Sequence, residues 1–221
     1  MFQLSVHHTQ FPPVDWASEE GILAFGGDLS IERLEQAYHL GIFPWYELDE
    51  PILWWAPPRR MVVDIQQYYP SKTLRNLWRK QEFTLTFNAQ FEQVIRNCQK
   101  AVRPGQYGTW ITEDIIKAYT IWHQQGRAKS VECWQNGQLV GGLYGIDLEG
   151  VFCGESMFSA VSNASKFAFL GLIEHLRKSN YVLLDCQVHN PYLEQLGAFE
   201  ISRENFLKLL KAAAHSVPSG M

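Results

Sequence analysis

The sequence predicts an α+β protein whose larger part is a mixed sheet flanked by helices. From about residue 60 onward, strand-like and helical segments follow one another in an irregular order, which is typical of such sheets. From Ser130 to Lys166, three strand-like segments joined by short turns lead into a helix, which predicts an antiparallel meander. The nearly continuous apolar run from Tyr181 to Cys186 predicts a strand buried on both faces.

Length and composition fit a well-packed domain with room for a smaller one. The chain has 221 residues, of which 46% are hydrophobic and 14% aromatic. Its net charge of -4 argues against a protein that coats nucleic acid indiscriminately, so any such contact must come from a local patch. The four cysteines form no CxxC pair, and neither a signal peptide nor an apolar run of ~18 residues is found. We therefore expect a cytoplasmic protein with reduced thiols and no membrane contact.

Residues 1–60 differ from the rest and are expected to form a small, aromatic-rich N-terminal domain, with residues 61–221 as the larger one. One helix, Ile31 to about Leu40, is bracketed by an N-cap serine and a terminating glycine. Two proline-punctuated aromatic clusters follow in loop or edge-strand context. Most of their rings are expected to pack the two domains together, whereas Trp45 follows a proline in a loop and should be partly exposed.

A helix that begins after Ser71 carries cations on one face and apolar residues on the opposite one. A solvated face is the usual meaning of such a stripe. However, its charges share one sign and have no acidic partner four residues along within the helix, which equally favours contact with nucleic-acid phosphates. These cations stand at offsets of three, seven and eight from the first: Lys72, Arg75, Arg79 and Lys80.

Trp110 lies just before a second well-marked helix. Thr112 is a suitable N-cap for that helix, acidic residues occupy its first turn, and Gly126 ends it. Like Trp45, Trp110 can serve either in packing or as a stacking platform for a base or an adenosine.

The central meander contains features that packing alone does not demand. Three glycines, Gly141, Gly142 and Gly145, lie within one strand, and a carboxylate, Glu155, lies in the otherwise apolar segment VFCGESMF. Glycine in a strand costs stability and often marks a bulge or the close approach of a backbone or ligand. A plain sheet with one edge glutamate is the alternative, but we favour the floor of a binding cleft.

Asp185 ends the buried strand, and Gln187 and His189 add polar groups directly after it. A carboxylate at the end of a buried strand in a mixed sheet is where ligand chemistry is commonly placed. Asp185 can also simply cap a turn. The neighbouring polar side chains favour the functional interpretation.

The order of elements resembles the GNAT acyltransferase fold. That fold binds the pyrophosphate of coenzyme A with a [QR]xxGx[GA] turn at the start of the central helix. The matching segment, residues 160–166, is AVSNASK and lacks those glycines. A coenzyme A donor is therefore disfavoured.

Nine ordered blocks carry a closer resemblance: GILAFGGDLSIERLEQAYHLGIFPWY, PILWWAP, TWIT, HQQGRAKSVECW, LVGGLYG, FCGESMFS, NASK, LLDCQV and LGAFEISRENFL. They resemble the bacterial leucyl/phenylalanyl-tRNA-protein transferase family nearly end to end. This resemblance implies a small N-terminal domain and a GNAT-like C-terminal domain that need no metal and no cofactor. A monomer is expected, although the sequence leaves the oligomeric state open. It implies transfer of Leu, Phe or less readily Met from aminoacyl-tRNA to proteins with N-terminal Arg or Lys, which creates an N-degron for cytosolic proteolysis.

The resemblance also implies roles for individual residues. It places the 3′-terminal adenosine between Trp45 and Trp110, the acceptor's amino group at Asp185 and Gln187, and tRNA phosphates along the basic helix. The aminoacyl side chain would lie near Glu155 in an apolar pocket that includes Leu143, Phe152, Phe169 and Leu172. The chain departs from the family in residues 56–59, APPR, where a Ser and an Asp-Pro are usual, and at Phe169, where Leu is frequent.

The chemistry required is modest, because an aminoacyl ester is already activated and a neutral amine is a good nucleophile. Positioning of the amine, proton removal and oxyanion stabilisation would lower the barrier. Whether Asp185 is a general base or a positioning group stays open. An acyl-enzyme on Cys153 or Cys186 is not expected, since no Cys-His pair has thiol-protease spacing. The rival classes are an acyl-coenzyme A N-acetyltransferase and a non-catalytic tRNA- or peptide-binding module.

Overall fold

The computed structural model describes residues 1–101 and 109–214. Residues 1–60 contain a four-stranded sheet in the order β1-β2-β4-β3, with helix α1 (Ile31–His39) and a short 3-10 helix (Val14–Trp16) beside it. Its strands are β1 (Phe2–Leu4), β2 (Ile22–Gly26), β3 (Phe43–Pro44) and β4 (Leu53–Trp55). The predicted helix is present, and the two aromatic clusters contribute the short strands β3 and β4, whereas β1 and β2 were not expected. These strands have two to five residues, too few for alternation to be detected in the sequence.

The larger part is a mixed sheet, as the sequence predicts, and its seven strands lie in the order β11-β5-β10-β9-β8-β7-β6. Neighbouring strands are antiparallel except β9 and β10, which are parallel. The strands are β5 (Arg59–Asp64), β6 (Thr84–Phe87), β7 (Ala128–Gln135), β8 (Gln138–Asp147), β9 (Val151–Ser159), β10 (Leu183–Gln187) and β11 (Phe199–Ser202). The helices are α2 (Lys72–Lys80), α3 (Phe91–Lys100), α4 (Glu113–Gln124), α5 (Ala164–Lys178), α6 (Pro191–Gln195) and α7 (Arg203–Ala214).

Local signals in the sequence fix several of these boundaries. Asn136 and Gly137 have φ angles of 51° and 75°, so the β7–β8 hairpin closes through the predicted turn. Ser71 accepts a hydrogen bond from the backbone N–H of Leu74, and Thr112 accepts one from Ile115, which confirms both as N-caps.

The sheet separates two hydrophobic cores, because successive residues of a strand point to opposite faces. Met61 and Val63 pack with α2 and α5, whereas Val62 between them packs with α3, α4 and α7. Buried residues of the N-terminal sheet and of α1 belong to the same core as Val62. The N-terminal part therefore shares a continuous core with the large sheet. In the residues that the structure describes, none of the helices combines the length and apolarity needed to cross a membrane.

The strand glycines have packing reasons, and they mark a bulge and close backbone approaches, as expected of glycines within a strand. A Cβ at Gly141 would lie 2.6 Å from that of Ala164, so this glycine lets the start of α5 approach the sheet. A Cβ at Gly142 would lie 2.7 Å from the Val131 carbonyl oxygen. At Gly145 it would overlap the carbonyl oxygen of the neighbouring strand, where the register shifts.

Candidate active site

Two adjacent bulges shape the centre of the large sheet. Parallel pairing of β9 with β10 ends at Cys153 and Asp185, although β9 continues to Ser159. In β9, Glu155 is an extra residue, since Tyr144 pairs with Ser156 and Gly145 with Gly154. In β10, Cys186 is the extra residue between Asp185 and Gln187 in the pairing with β5. Bulges redirect side chains, and these two lie next to the point where β9 and β10 cease to pair.

The bulges bring Glu155 and Gln187 into direct contact. Gln187 has a φ of 65°, and its side-chain Nε2 donates to Glu155 Oε1 over 2.8 Å. Left-handed backbone is uncommon for a non-glycine residue and is often found at functional sites. The predicted pair Asp185 and Gln187 is thus joined by Glu155 in one cluster.

Asp185 forms a buried ion pair with Arg60. Nε of Arg60 donates to Oδ1 over 2.8 Å and Nη2 donates to Oδ2 over 2.7 Å. Oδ1 also accepts from the backbone N–H of Gln187 over 2.9 Å. Both carboxylate oxygens are therefore engaged by the protein, and this bidentate geometry holds Asp185 and the backbone of Gln187 in place.

Arg60 is itself fixed from three directions. Its Nη1 donates to the carbonyl of Gly41 over 3.0 Å, and its guanidinium lies 4.8 Å from the ring centre of Phe43 and 4.4 Å from that of Phe206. Burial lowers the pKa of Arg60, but the charge of Asp185 opposes it and the net direction is upward. The cation is therefore permanent and its position is determined by the surrounding fold.

Tyr38 and Tyr119 form a hydrogen-bonded chain to the same oxygen of Glu155 that Gln187 binds. Tyr38 of α1 donates to Oε1 over 2.7 Å, and its hydroxyl lies 2.6 Å from that of Tyr119 of α4. A hydroxyl has one proton, so Tyr119 donates to Tyr38. Burial raises the pKa of Glu155 to about 8, against the hydrogen bonds from Tyr38 and Gln187. A carboxyl group with such a pKa can hold or release a proton near neutral pH.

The cysteines beside this cluster are poor nucleophiles. Burial raises the pKa of Cys153 well above its ordinary value, and burial has the same effect on Cys186. Thiols must ionise to attack an ester efficiently. This agrees with the expectation that no acyl-enzyme forms on either residue.

The segments that carry Trp45 and Trp110 lie side by side. Tyr46 and Thr112, which follow them closely in sequence, have their hydroxyl groups 3.3 Å apart. Trp45 is 38% exposed, as expected for its loop, while Trp110 is half-buried against the core. Both rings therefore stand on neighbouring segments.

The four residues predicted to line an apolar pocket all belong to the core on the α5 side of the sheet, and each is at most 3% exposed: Leu143, Phe152, Phe169 and Leu172. Tyr38 and Tyr119, which hold Glu155, belong to the core on the opposite side. The four apolar residues therefore lie on the opposite face of the sheet from the tyrosine that contacts Glu155.

Comparison with known proteins identifies the family. Residues 62–211 match the family described as leucyl/phenylalanyl-tRNA protein transferase, and residues 27–58 match the N-terminal domain of the same transferase. The chain belongs to this family. The leucyl/phenylalanyl-tRNA–protein transferase of Flavobacterium johnsoniae is 58% identical over 202 residues, which covers 91% of this chain and 95% of that protein. The transferase of Pseudoalteromonas translucida is 48% identical over 215 residues, covering 96% and 90% of the two chains.

A solved structure supports the fold independently of sequence. The crystal structure of FemX aligns with a TM-score of 0.51 at 9% identity and covers 81% of this transferase-family chain and 70% of its own. At that identity the similarity concerns the fold alone.

The basic helix that the sequence predicts is α2 in the structure. Lys72, Arg79 and Lys80 are exposed, and Lys80 lies 3.4 Å from Glu82, just beyond the helix. Arg75 is half-buried, and its Nη1 donates to the Pro70 carbonyl over 2.8 Å. The four cations therefore differ in how readily they can reach a ligand.

Sequence reasoning missed Tyr38, Arg60 and Tyr119. One signal was available for Arg60. It stands two residues before the buried Val62 in a strand, so both side chains point to the same, inward face. A buried arginine needs an acidic partner. Tyr119 was assigned only to the core face of its helix, and nothing local distinguishes Tyr38. Within the described part of the chain, no group of three or more His, Cys, Asp or Glu side chains is arranged to hold a metal ion.

Proposed function

We propose that this protein is an aminoacyltransferase that moves Leu, Phe and, less readily, Met from aminoacyl-tRNA to the N-terminal Arg or Lys of acceptor proteins. The product is a new peptide bond and an N-degron for cytosolic proteolysis. The observation that carries the proposal is the family match, with relatives 48–58% identical over nine-tenths of the chain or more. The compartment is proposed to be the cytoplasm and the active species a monomer.

The larger domain, residues 61–221, is proposed to be a GNAT-like catalytic unit and residues 1–60 a small domain. A parallel strand pair that separates beyond Cys153 and Asp185 supports the first assignment. The coenzyme A acetyltransferase alternative is disfavoured by the missing phosphate-binding glycines in residues 160–166.

Gln187 is proposed to orient the acceptor's α-amino group. Its Nε2 is committed to Glu155, which leaves Oε1 to accept from the amine. The neutral amine attacks the ester carbon, the bond to the ribose oxygen breaks, and that oxygen leaves with a proton as the 3′-hydroxyl. The amine loses one proton overall, so atoms and charge balance.

Asp185 is proposed to act as a positioning group. Its oxygens already accept from Arg60 and from the backbone of Gln187, which makes it a weak competitor for the amine proton. Through these contacts it sets the left-handed turn that directs the Gln187 side chain. Proton removal by the tRNA's own ribose hydroxyl is compatible with this arrangement.

The adenosine and the aminoacyl side chain of the donor are proposed to be held by residues other than Asp185 and Gln187. Stacking of the terminal adenosine between Trp45 and Trp110 is supported by the contact between Tyr46 and Thr112. The aminoacyl side chain is proposed to enter among Leu143, Phe152, Phe169 and Leu172 beside Glu155. The exposed cations of α2 are proposed to contact tRNA phosphates.

Incubation with labelled leucyl-tRNA and a protein bearing N-terminal Arg tests the activity directly. Label should appear at the acceptor's N-terminus, and not when that residue is acetylated or replaced by Ser. Label from acetyl-coenzyme A instead would establish the alternative. Absence of label from either donor would reject both enzymatic functions and leave a binding module.

A further inference from the structure

A groove between α2 and α5 lies outside the candidate active site. It has a volume of about 200 Å³, and its lining includes neither Glu155 nor Gln187. Leu170 and Ile173 of α5 form an apolar floor, and both are almost fully buried. The groove is therefore shaped for an apolar or planar group instead of a solvated ion.

An indole ring forms one wall of the groove. Trp78 is partly exposed there, while its ring centre lies 4.7 Å from that of Phe167, which fixes its orientation. Beside the groove, Tyr69 is 76% exposed and its ring lies 4.6 Å from the guanidinium of Arg75. Large aromatic rings at a surface next to arginines are the recurring platform for unpaired bases.

The rim of the groove is net positive. Arg75 and Arg79 line it, and the one carboxylate in the lining, Glu174, is paired with Arg177 over 2.9 Å. Glu174 can still accept a hydrogen bond from an exocyclic amine of a base. An anion bound beside a planar group is thus complementary to this surface, although the protein as a whole has a charge of -4.

We propose that this groove binds one unpaired nucleotide of the tRNA outside its acceptor end. The base stacks on Trp78, and the adjoining phosphate lies between Arg75 and Arg79. A nucleotide in a paired stem cannot present its face in this way, so the ligand comes from a loop or a bulge. The inference rests on the proposed function, which makes aminoacyl-tRNA the partner.

Variants in the groove separate stacking from simple charge attraction. Trp78→Leu keeps an apolar side chain but removes the ring, and Arg79→Ala removes an exposed cation; Lys208→Ala on α7 is the matched control. Trp78→Leu should weaken binding of full-length tRNA roughly ten-fold without changing the slope of log affinity against log salt. Arg79→Ala should reduce that slope by about one, and Lys208→Ala should leave affinity and slope at wild-type values.

Comparing two aminoacyl donors shows which part of the tRNA the Trp78→Leu substitution affects. With a leucylated CCA trinucleotide, which lacks loop nucleotides, Trp78→Leu should transfer as fast as wild type. With full-length leucyl-tRNA its KM should rise while kcat is unchanged. An equal defect with both donors would overturn the proposal, since the substitution would then act through the fold or the active site.

The same stacking contact is also tested by changing the tRNA and leaving the wild-type protein unaltered. A set of tRNAs, each with one abasic loop nucleotide, is titrated against wild type and Trp78→Leu. One abasic position should weaken binding to wild type by about the same factor as Trp78→Leu, and that position should cost nothing further in the variant. The proposal is overturned if no abasic position does so. Affinity is measured without transfer, so failure of the proposed function would appear separately, as inactive wild type that still binds tRNA.

Discussion

Arg60 and Asp185 form a bidentate ion pair inside the protein, with side chains only 3% and 0% exposed. The pair joins β5 to the neighbouring strand β10 and directs the backbone of Gln187. A buried ion pair adds little net stability, because the attraction between its charges must first offset the free energy of removing both from water. Its main effect is to fix the positions of the two side chains. Loss of one partner is more damaging, since the other remains buried and uncompensated.

Asp185→Ala is therefore expected to destabilise the protein by about 3–5 kcal/mol, measured by urea unfolding. The double variant Arg60→Met/Asp185→Leu should recover most of that stability, because neither charge remains, yet it should transfer poorly with Gln187 no longer positioned. Asp114→Ala, at an exposed position on α4, is the control and should change little. A fully stable Asp185→Ala protein would contradict this account of the pair.

Glu155 should make stability depend on pH. Its folded pKa of about 8 exceeds the ordinary value of 4.5, so the folded state binds more protons between these values. Stability from this group is thus complete below pH 4.5 and is lost as the pH rises through about 8. Glu155→Gln keeps an oxygen acceptor for Tyr38 but does not titrate. Relative to this variant, wild type should lose unfolding free energy between about pH 5.5 and about pH 8.5; a constant difference would show that Glu155 titrates normally.

The parts of the fold that the sequence predicts correctly are those set by local chemistry. Asn136-Gly137 specifies a hairpin turn, and Ser71 and Thr112 specify helix starts, because each acts on groups within a few residues. The short strands β1 and β2 escaped detection because they depend on pairing with distant segments.

The residues of the candidate site divide in the same way, into those predicted from local sequence and those that depend on packing between distant segments. Asp185 and Gln187 were predicted because they end an apolar run, a pattern visible along the chain. Arg60 differs from Arg59 only in the face of the strand that it occupies, and Tyr38 meets Tyr119 across 81 residues of sequence. Such contacts arise from the packing of elements, which periodicity within one element does not specify.

The basic helix should contribute to tRNA binding unequally. Arg79→Ala should weaken binding and lower the slope of log affinity against log salt by about one, since an exposed cation that contacts a phosphate releases about one counterion. Arg75→Ala should lower the slope less, because that guanidinium is already held by Pro70 and Tyr69. Titrations at several salt concentrations measure both; unchanged slopes would remove α2 from the tRNA contact surface.

The apolar residues proposed as the aminoacyl pocket should select by graded fit. A hydrophobic site discriminates by only ~1–3 kcal/mol per methylene, so Leu, Phe and Met should be transferred at different but measurable rates. Val and Ile should be poor donors, because their branch lies next to the carbonyl carbon. Competition between charged tRNAs in single-turnover reactions gives the ranking, and efficient transfer from valyl-tRNA would sink this description of the pocket.

Gln187 offers the most direct test of the proposed chemistry. Gln187→Asn keeps an amide and tolerates left-handed backbone, but its side chain is one methylene too short to span the 2.8 Å contact with Glu155 and still reach the amine. If Gln187 acts mainly in the transition state, the single-turnover rate should fall roughly ten- to ten-thousand-fold while aminoacyl-tRNA affinity stays near wild type. Stability should be nearly unchanged, because the Arg60–Asp185 pair is intact. Near-normal transfer by this folded variant would refute the role of Gln187, whereas a parallel loss of tRNA affinity would assign it to donor binding.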